Sequence, residues 1–437
     1  MRSWRAIVAF ACVVCTSAGY AQSLILDEEF DTLANQLTAP LRAELAPGVN
    51  VHFVVVSSPD INAFVTDENI VFVHSGLIAK TKTASELQGV LAHELGHIAA
   101  QHVTTRAEGM KGAMVPALAG AVLGLGAAIA GAPQASAALI LGGQAAGIQT
   151  ILAHTQVQEN EADQRALSAL HQAGYSAQGM VDMFTTLRTE SQLSYDAPPA
   201  WLVTHPLPAT RLEKLAHATT IESPAKSEKS SQLDTTTTYH RLQAKVLALS
   251  ESPATVLRRM GGPSTAERYA RTIALTRQGK LAEAQAQLAP LLKAAPADPF
   301  YHELAGRIAL QQSNLPEAEA AFSRALAQAP RGLLIRYQLA EVQRARGNLA
   351  AAQANYTTIT RAWPIWSEPW EGLALTLGQT GKIPQSHLAM AEANYVDGDI
   401  PAAKQSLALA QTYLKKSPDA EAQAWASTLA DRIKNAE

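Results

Sequence analysis

Hydrophobic positions are spread unevenly along the 437 residues. Near the start, the apolar run AIVAFACVVCTSAG follows Arg2 and Arg5, and GYA before Gln22 offers small residues for cleavage, so a secretory signal is predicted over residues 1–21. Further on, TASELQGVLAHELGHIAAQH sets Thr83 three residues ahead of Glu86 and contains no proline, which predicts one capped helix over about 84–105. A second helical pattern, QVQENEADQRALSALHQAGY, stops at Gly174. Between the two, residues 112–158 hold no Asp, Glu, Lys or Arg and are rich in alanine and glycine.

The polar stretch TTIESPAKSEKSSQLDTTTTYH predicts a surface loop or linker over 219–240, after which RLQAKVLAL resumes a helical pattern that can pack back on the preceding domain. From about 265 the chain repeats. Gly279, Gly347 and Gly381 lie on one 34-residue lattice with Ser313 at the missing point, and Pro296, Pro330 and Pro364 lie on another. That is the period of the tetratricopeptide repeat, in which small residues let paired helices approach and proline ends the second helix. Gly306, Ala318, Phe322, Ala325 and Pro330 match its consensus; Leu339, Ala340, Ala352, Tyr356 and Pro364 follow one period later, and Trp370 opens a fourth unit. Gly398 then follows Gly381 by 17 residues, as if one helix served two successive hairpins.

The net charge of −3 gives no reason to expect nucleic acid as a partner. Both cysteines, Cys12 and Cys15, fall in the leading apolar run, so the processed chain would contain no disulfide. Loss of Arg2 and Arg5 would leave 33 basic against 38 acidic residues. The expected product is a soluble, exported, mildly acidic protein.

His93 and His97 are four apart and share a helix face, with Glu94 one step round, close enough to reach a water on a metal held by the pair. The plainer alternative is a pair of helix histidines in solvent or a satisfied core. His102 stands five residues past His97, about 140° round a continuous helix, and is expected to point away. A third ligand must come from elsewhere. Glu159 and Asp163 are four apart on one face of the second helical pattern, with Glu161 facing another way, and Glu159 is the best donor; on its own it could equally be an exposed carboxylate at a helix start.

HELGH, then ENEAD as an ExxAD match, then THPLPATRL resemble the M48 family of zinc metallopeptidases, over roughly residues 40–217. NAF at 62–64 and IVFVHSGLI at 70–78 fit the strand and turn such enzymes carry before the active-site helix. The resemblance implies that one Zn2+ is held by His93, His97 and Glu159, and that Glu94 is the general base. It makes Asp163 a supporting carboxylate and Arg211 the matching arginine, while His205 either stabilises the oxyanion or swings onto the metal.

With the repeats added, the whole chain is similar to exported M48 proteases that carry C-terminal tetratricopeptide repeats. The implied fold is mainly α: a zincin-like α+β metallopeptidase domain with a small sheet over 22–250, then an α-solenoid over 265–437. The implied substrates are unfolded or misassembled proteins, the implied partner of the repeats is the outer-membrane assembly machinery, and the implied role is quality control of β-barrel assembly. Two rivals stand beside this reading. One is a periplasmic chaperone or adaptor with a gated or inactive metal site; the other is an integral-membrane M48 protease, since the uncharged stretch could span a bilayer. The preferred alternative for residues 112–152 is a pair of apolar helices packed over or beside the active site, touching a membrane surface at most.

Overall fold

The computed structural model describes residues 23–66, 68–102, 156–193, 201–202, 205–221 and 235–436. The uncharged stretch 112–152, the signal predicted over 1–21 and most of the predicted linker lie outside them. Two compact units are present, one comprising Gln22–Ala274 and the other containing Leu275–Glu437.

The first unit is built on a four-stranded sheet of order β1-β2-β4-β3. Strand β1 (Ser23–Ile25) runs antiparallel to β2 (His52–Ser57), β2 runs parallel to β4 (Ile70–His74), and β3 (Ala63–Val65) is an edge strand antiparallel to β4. The centre of the sheet is buried because β2 and β4 are near-continuous apolar runs, FVVV beside IVFV, the pattern expected of strands covered on both faces. Helix α1 (Glu28–Leu45) is capped by Asp27, which accepts from the Phe30 N–H at 2.9 Å, and buries Phe30, Leu33, Leu37 and Leu41 in the same core. Helix α2 (Ser75–Lys80) follows β4 directly.

Helix α3 (Ala84–Ala99) starts as predicted, with the Thr83 hydroxyl accepting from the Glu86 N–H at 3.2 Å. The Glu86 carboxylate returns to the Lys82 N–H rather than to that of Thr83, so the capping box is displaced by one residue. The helix ends six residues short of the predicted 105: Gln101 takes a left-handed φ of 54° and turns the chain. A second helix, α4, occupies 156–172 and closes at Gly174, whose φ of +78° and N–H bond to the His171 carbonyl form a left-handed cap. Helix α5 (Gln178–Leu193) packs on α3 so closely that a Cβ on Gly89 would lie 2.5 Å from the Met180 Cα.

Helix α6 (Ala209–Ile221) and helix α7 (Thr235–Ser250) occupy both ends of the segment expected to be a loop, because each presents apolar residues to the core: Leu215 from α6, Tyr239 and Leu242 from α7. The Tyr239 hydroxyl bonds that of Thr81, and the Gln243 amide donates to the Ile78 carbonyl at 2.8 Å. Beyond α8 (Pro253–Arg259), most of α9 (Thr265–Arg277) belongs to this first unit and not to the repeats. Its Tyr269 donates to Glu29 at 3.1 Å, and the buried Lys245 ammonium lies 2.8 Å from Asp27 and 3.2 Å from Glu29.

The second unit is an array of helical hairpins, α10 (Leu281–Ala294) through α18 (Ala420–Asn435). The glycine lattice marks the turn between paired helices. Gly347, at φ 81°, donates to the Arg344 carbonyl while the next N–H reaches Gln343, and Gly279 and Gly381 repeat the geometry. Ser313 takes the same conformation at φ 59° without the glycine. A second 34-residue register becomes visible: side chains of His302, Arg336 and Trp370 donate to the carbonyls of Pro296, Pro330 and Pro364 at 2.7, 2.7 and 2.9 Å. Helix α16 (Ile383–Val396) is flanked by Gly381 and Gly398 and is shared between two hairpins. Ala389 packs with Tyr356, Leu373 and Leu377, while Leu388, Ala391 and Tyr395 pack with Leu407, Leu414 and Leu429.

Candidate metal centre

Helix α3 delivers His93 and His97 one turn apart, α4 delivers Glu159, and His205 comes from the segment before α6. One donor atom from each of the four lies within 4.8 Å of every other, and all four side chains are buried. The His93 Nε2 is 3.1 Å from His97 Nε2 and 3.2 Å from Glu159 Oε2, and His205 Nδ1 is 3.0 Å from Glu159 Oε1. Helices α3 and α4 meet this closely because residue 96 is glycine, set against the Ala162 backbone.

Glu94 lies at the edge of this group. Its Oε1 is 3.7 Å from His205 Nε2 and 3.5 Å from the Trp201 indole nitrogen, while its Oε2 is buried without a hydrogen-bond partner among the described residues. Trp201 is fully buried and stacks on His205 at a centroid distance of 4.8 Å. Sequence reading gave Trp201 no role, since nothing in its spacing ties it to the helix of Glu94.

Asp163 and Arg211 form the wall behind the donors. Asp163 Oδ1 is 2.9 Å from His93 Nδ1, and Arg211 donates to both Asp163 oxygens, at 2.5 and 2.8 Å, and lies 3.0 Å from Glu159. Burial works against charge at these groups but its partners prevail. Burial presses His93 down, yet Asp163 and Glu159 carry it up to about 9. Burial raises Glu159 and Asp163, yet their imidazole and guanidinium partners hold both below the usual carboxylate range. At His97, burial wins over Glu159 and holds it down to about 4.

Glu94, Glu159 and Asp163 set three carboxylates against one buried guanidinium, Arg211. Burying uncompensated charge is costly: with His93 protonated the carboxylates exceed the cations by one, and with a neutral, ligating His93 the excess is two, which a divalent cation balances. The donor chemistry, the charge excess and the orphaned Glu94 oxygen all fit a metal ion. The residues expected at the site are thus brought together, and His102 stays outside the donor group as expected, but it returns to the outer side of His97, 2.9 Å between the Nδ1 atoms. The cause is the turn at Gln101, which the expectation of a continuous helix could not include.

A fold of this kind, with two helix histidines and a carboxylate from a following helix around a buried donor group, defines a metallopeptidase class, and comparison supplies the family. Residues 24–219 match the model of Peptidase family M48, and that segment is an M48 peptidase domain. Among characterised relatives, the beta-barrel assembly-enhancing protease of Yersinia pestis is 28% identical over 385 residues, covering 86% of this chain and 77% of that protein. The protein of the same name from Escherichia coli (strain K12) is 27% identical over 311 residues, covering 69% of this chain and 62% of the relative. A likeness to the crystal structure of YrrB, a TPR protein with an unusual peptide-binding site, covers 38% of this chain and 90% of that one at 14% identity and a TM-score of 0.33. Among the described residues no helix is long and apolar enough to cross a membrane.

Proposed function

We propose that this metalloprotease is an exported zinc endopeptidase that cleaves unfolded or misassembled polypeptides, in quality control of outer-membrane β-barrel assembly. The observation that carries the reading is the buried group of His93, His97, Glu159 and His205 with Glu94 beside it. His93, His97 and Glu159 would hold the ion, which when bound supplies Lewis acidity toward the scissile carbonyl and lowers the pKa of water. Glu94 accepts a proton from the attacking water through its unpartnered oxygen and passes it to the leaving amine. Asp163 accepts from the His93 Nδ1–H, which leaves Nε2 free to ligate, and Arg211 anchors that carboxylate. The edge strand β3 offers a row of backbone groups to an extended substrate, which an endopeptidase must hold unfolded. The helical repeats would dock clients or the outer-membrane assembly machinery. The periplasmic location and the peripheral membrane contact of residues 112–152 belong to the same proposal.

The position of His205 supports a second state of the same enzyme. Its Nδ1 is 3.0 and 3.1 Å from the Glu159 oxygens and 3.4 Å from His93 Nε2, which suits a fourth ligand that closes the site at rest. The experiment is degradation of an unfolded model protein by residues 22–437 supplied with zinc, beside Glu94→Gln. Cleavage by the parent alone supports the endopeptidase; equal cleavage by both sinks the role of Glu94. His205→Ala then separates the two roles of His205: faster cleavage marks a closing ligand, slower cleavage an oxyanion stabiliser.

A further inference from the structure

Each histidine of α3 turns Nε2 toward the donor group and Nδ1 away from it. For His93 the outward nitrogen meets Asp163, which Arg211 holds. For His97 it meets His102 Nδ1 at 2.9 Å, and His102 Nε2 in turn lies 3.2 Å from Glu161 Oε2. Arg165 donates to the other oxygen of Glu161 from Nε at 3.1 Å and from Nη2 at 2.8 Å. His102 is 4% exposed, so its ring is committed to this arrangement, whereas Glu161 and Arg165 lie at the surface, each 43% exposed.

We infer that His102 and Glu161 form an outer relay that positions His97 for metal binding, the counterpart of Asp163 and Arg211 behind His93. This inference rests on the metal-site reading above. Proton placement follows from one requirement. A ligating His97 Nε2 needs its lone pair, so the ring proton sits on Nδ1 and is donated to His102 Nδ1. His102 then accepts at Nδ1 and carries its own proton on Nε2, where Glu161 accepts it. Every nitrogen and the carboxylate are satisfied with neutral imidazoles and with no donor facing a donor.

The backbone is shaped for this contact. A continuous helix would carry residue 102 about 140° away from residue 97. The left-handed φ of Gln101, a conformation unfavourable for a non-glycine residue, instead brings His102 back over the last turn of α3. Glu161, which falls between Glu159 and Asp163 on α4 and faces the other side, is thereby given a partner. The histidine pair of α3 thus draws on both faces of α4: Glu159 and Asp163 on one, Glu161 on the other.

The test measures zinc affinity of the full chain by competition with a chromogenic chelator, together with the visible spectrum of the cobalt-substituted protein. His102→Phe keeps the bulk and removes the acceptor. It is expected to weaken zinc binding by about 10–100-fold, the usual cost of losing an outer-shell partner, and to alter the cobalt spectrum. His102→Asn returns an acceptor near the position of Nδ1 and is expected to recover most of that loss. Glu161→Ala, at the surface where folding is not at risk, is expected to give a smaller loss in the same direction. Wild-type affinity in His102→Phe, or equal losses in His102→Phe and His102→Asn, overturns the relay and leaves His102 a packing residue. A wild-type chain that takes up no zinc overturns the metal-site reading itself, and the relay with it.

Discussion

A Cβ placed on Gly96 would sit 2.6 Å from the carbonyl oxygen of Ala162. Residue 96 lies between His93 and His97 on α3, and residue 162 lies between Glu159 and Asp163 on α4, so this contact sets the distance between the donors. Backbone cannot yield as a flexible side chain can. Gly96→Ala is expected to lower stability by about 1–3 kcal/mol and to weaken zinc binding at the same time. Urea unfolding and chelator competition on one preparation check both; a variant that loses stability yet binds zinc as the parent does would detach the glycine from the site.

Asp163 carries two tasks, accepting from His93 and pairing with buried Arg211. Asp163→Ala should therefore cost about 10–100-fold in metal affinity. It should also destabilise the metal-free protein, because the guanidinium keeps only part of its compensation, through Glu159. Asp163→Asn, which keeps an acceptor toward His93, should bind metal more tightly than the alanine variant.

His74, at the end of β4, is 4% exposed, and burial lowers it from 6.5 to about 4, against the opposing pull of Asp60. Between these values the unfolded chain binds a proton that the folded chain excludes. Stability contributed by this group is thus full above pH 6.5 and is lost as pH falls toward 4, by about 2 kcal/mol at pH 5. Urea midpoints of metal-free protein at pH 7.5 and 5 should fall further for the wild type than for His74→Phe; parallel falls would remove His74 from the account.

Ser313 occupies a lattice point where Gly279, Gly347 and Gly381 carry the left-handed turn, and it does so at φ 59°. A side chain there costs about 1 kcal/mol that glycine avoids. Ser313→Gly should raise the unfolding midpoint of the repeats slightly, the gain being about 0.5 kcal/mol or less once the extra freedom of the unfolded glycine is subtracted. A lower midpoint would mean that the hydroxyl stabilises the turn by more than the strain.

Much of this was legible in local pattern. The 34-residue lattice depends on turns and helix lengths that recur with chain position, so Gly347, Gly381 and the shared helix between Gly381 and Gly398 could be read from spacing alone. The Thr83 cap and the shared face of His93 and His97 also follow from helical geometry within a few residues. The contact of His102 with His97 was not legible for the same reason: a helix continued on paper has no Gln101 turn, and left-handed glutamine leaves no mark in a sequence. The linker at 219–240 was read too long because polar composition conceals the few apolar positions, such as Tyr239, that fasten a helix to a core.

By itself the sequence determined the repeat period, the helix carrying the histidine pair and the residue types able to bind a metal, since each depends on neighbours within a turn or two. Only the tertiary structure decided which distant groups complete the site. Asp163 meets His93 across 70 residues, His205 meets Glu159 across 46, and Trp201 reaches Glu94 across 107. Such meetings depend on how closely α3 and α4 pack at Gly96 and where each chain segment turns, and these are properties of the assembled core rather than of any local run of residues.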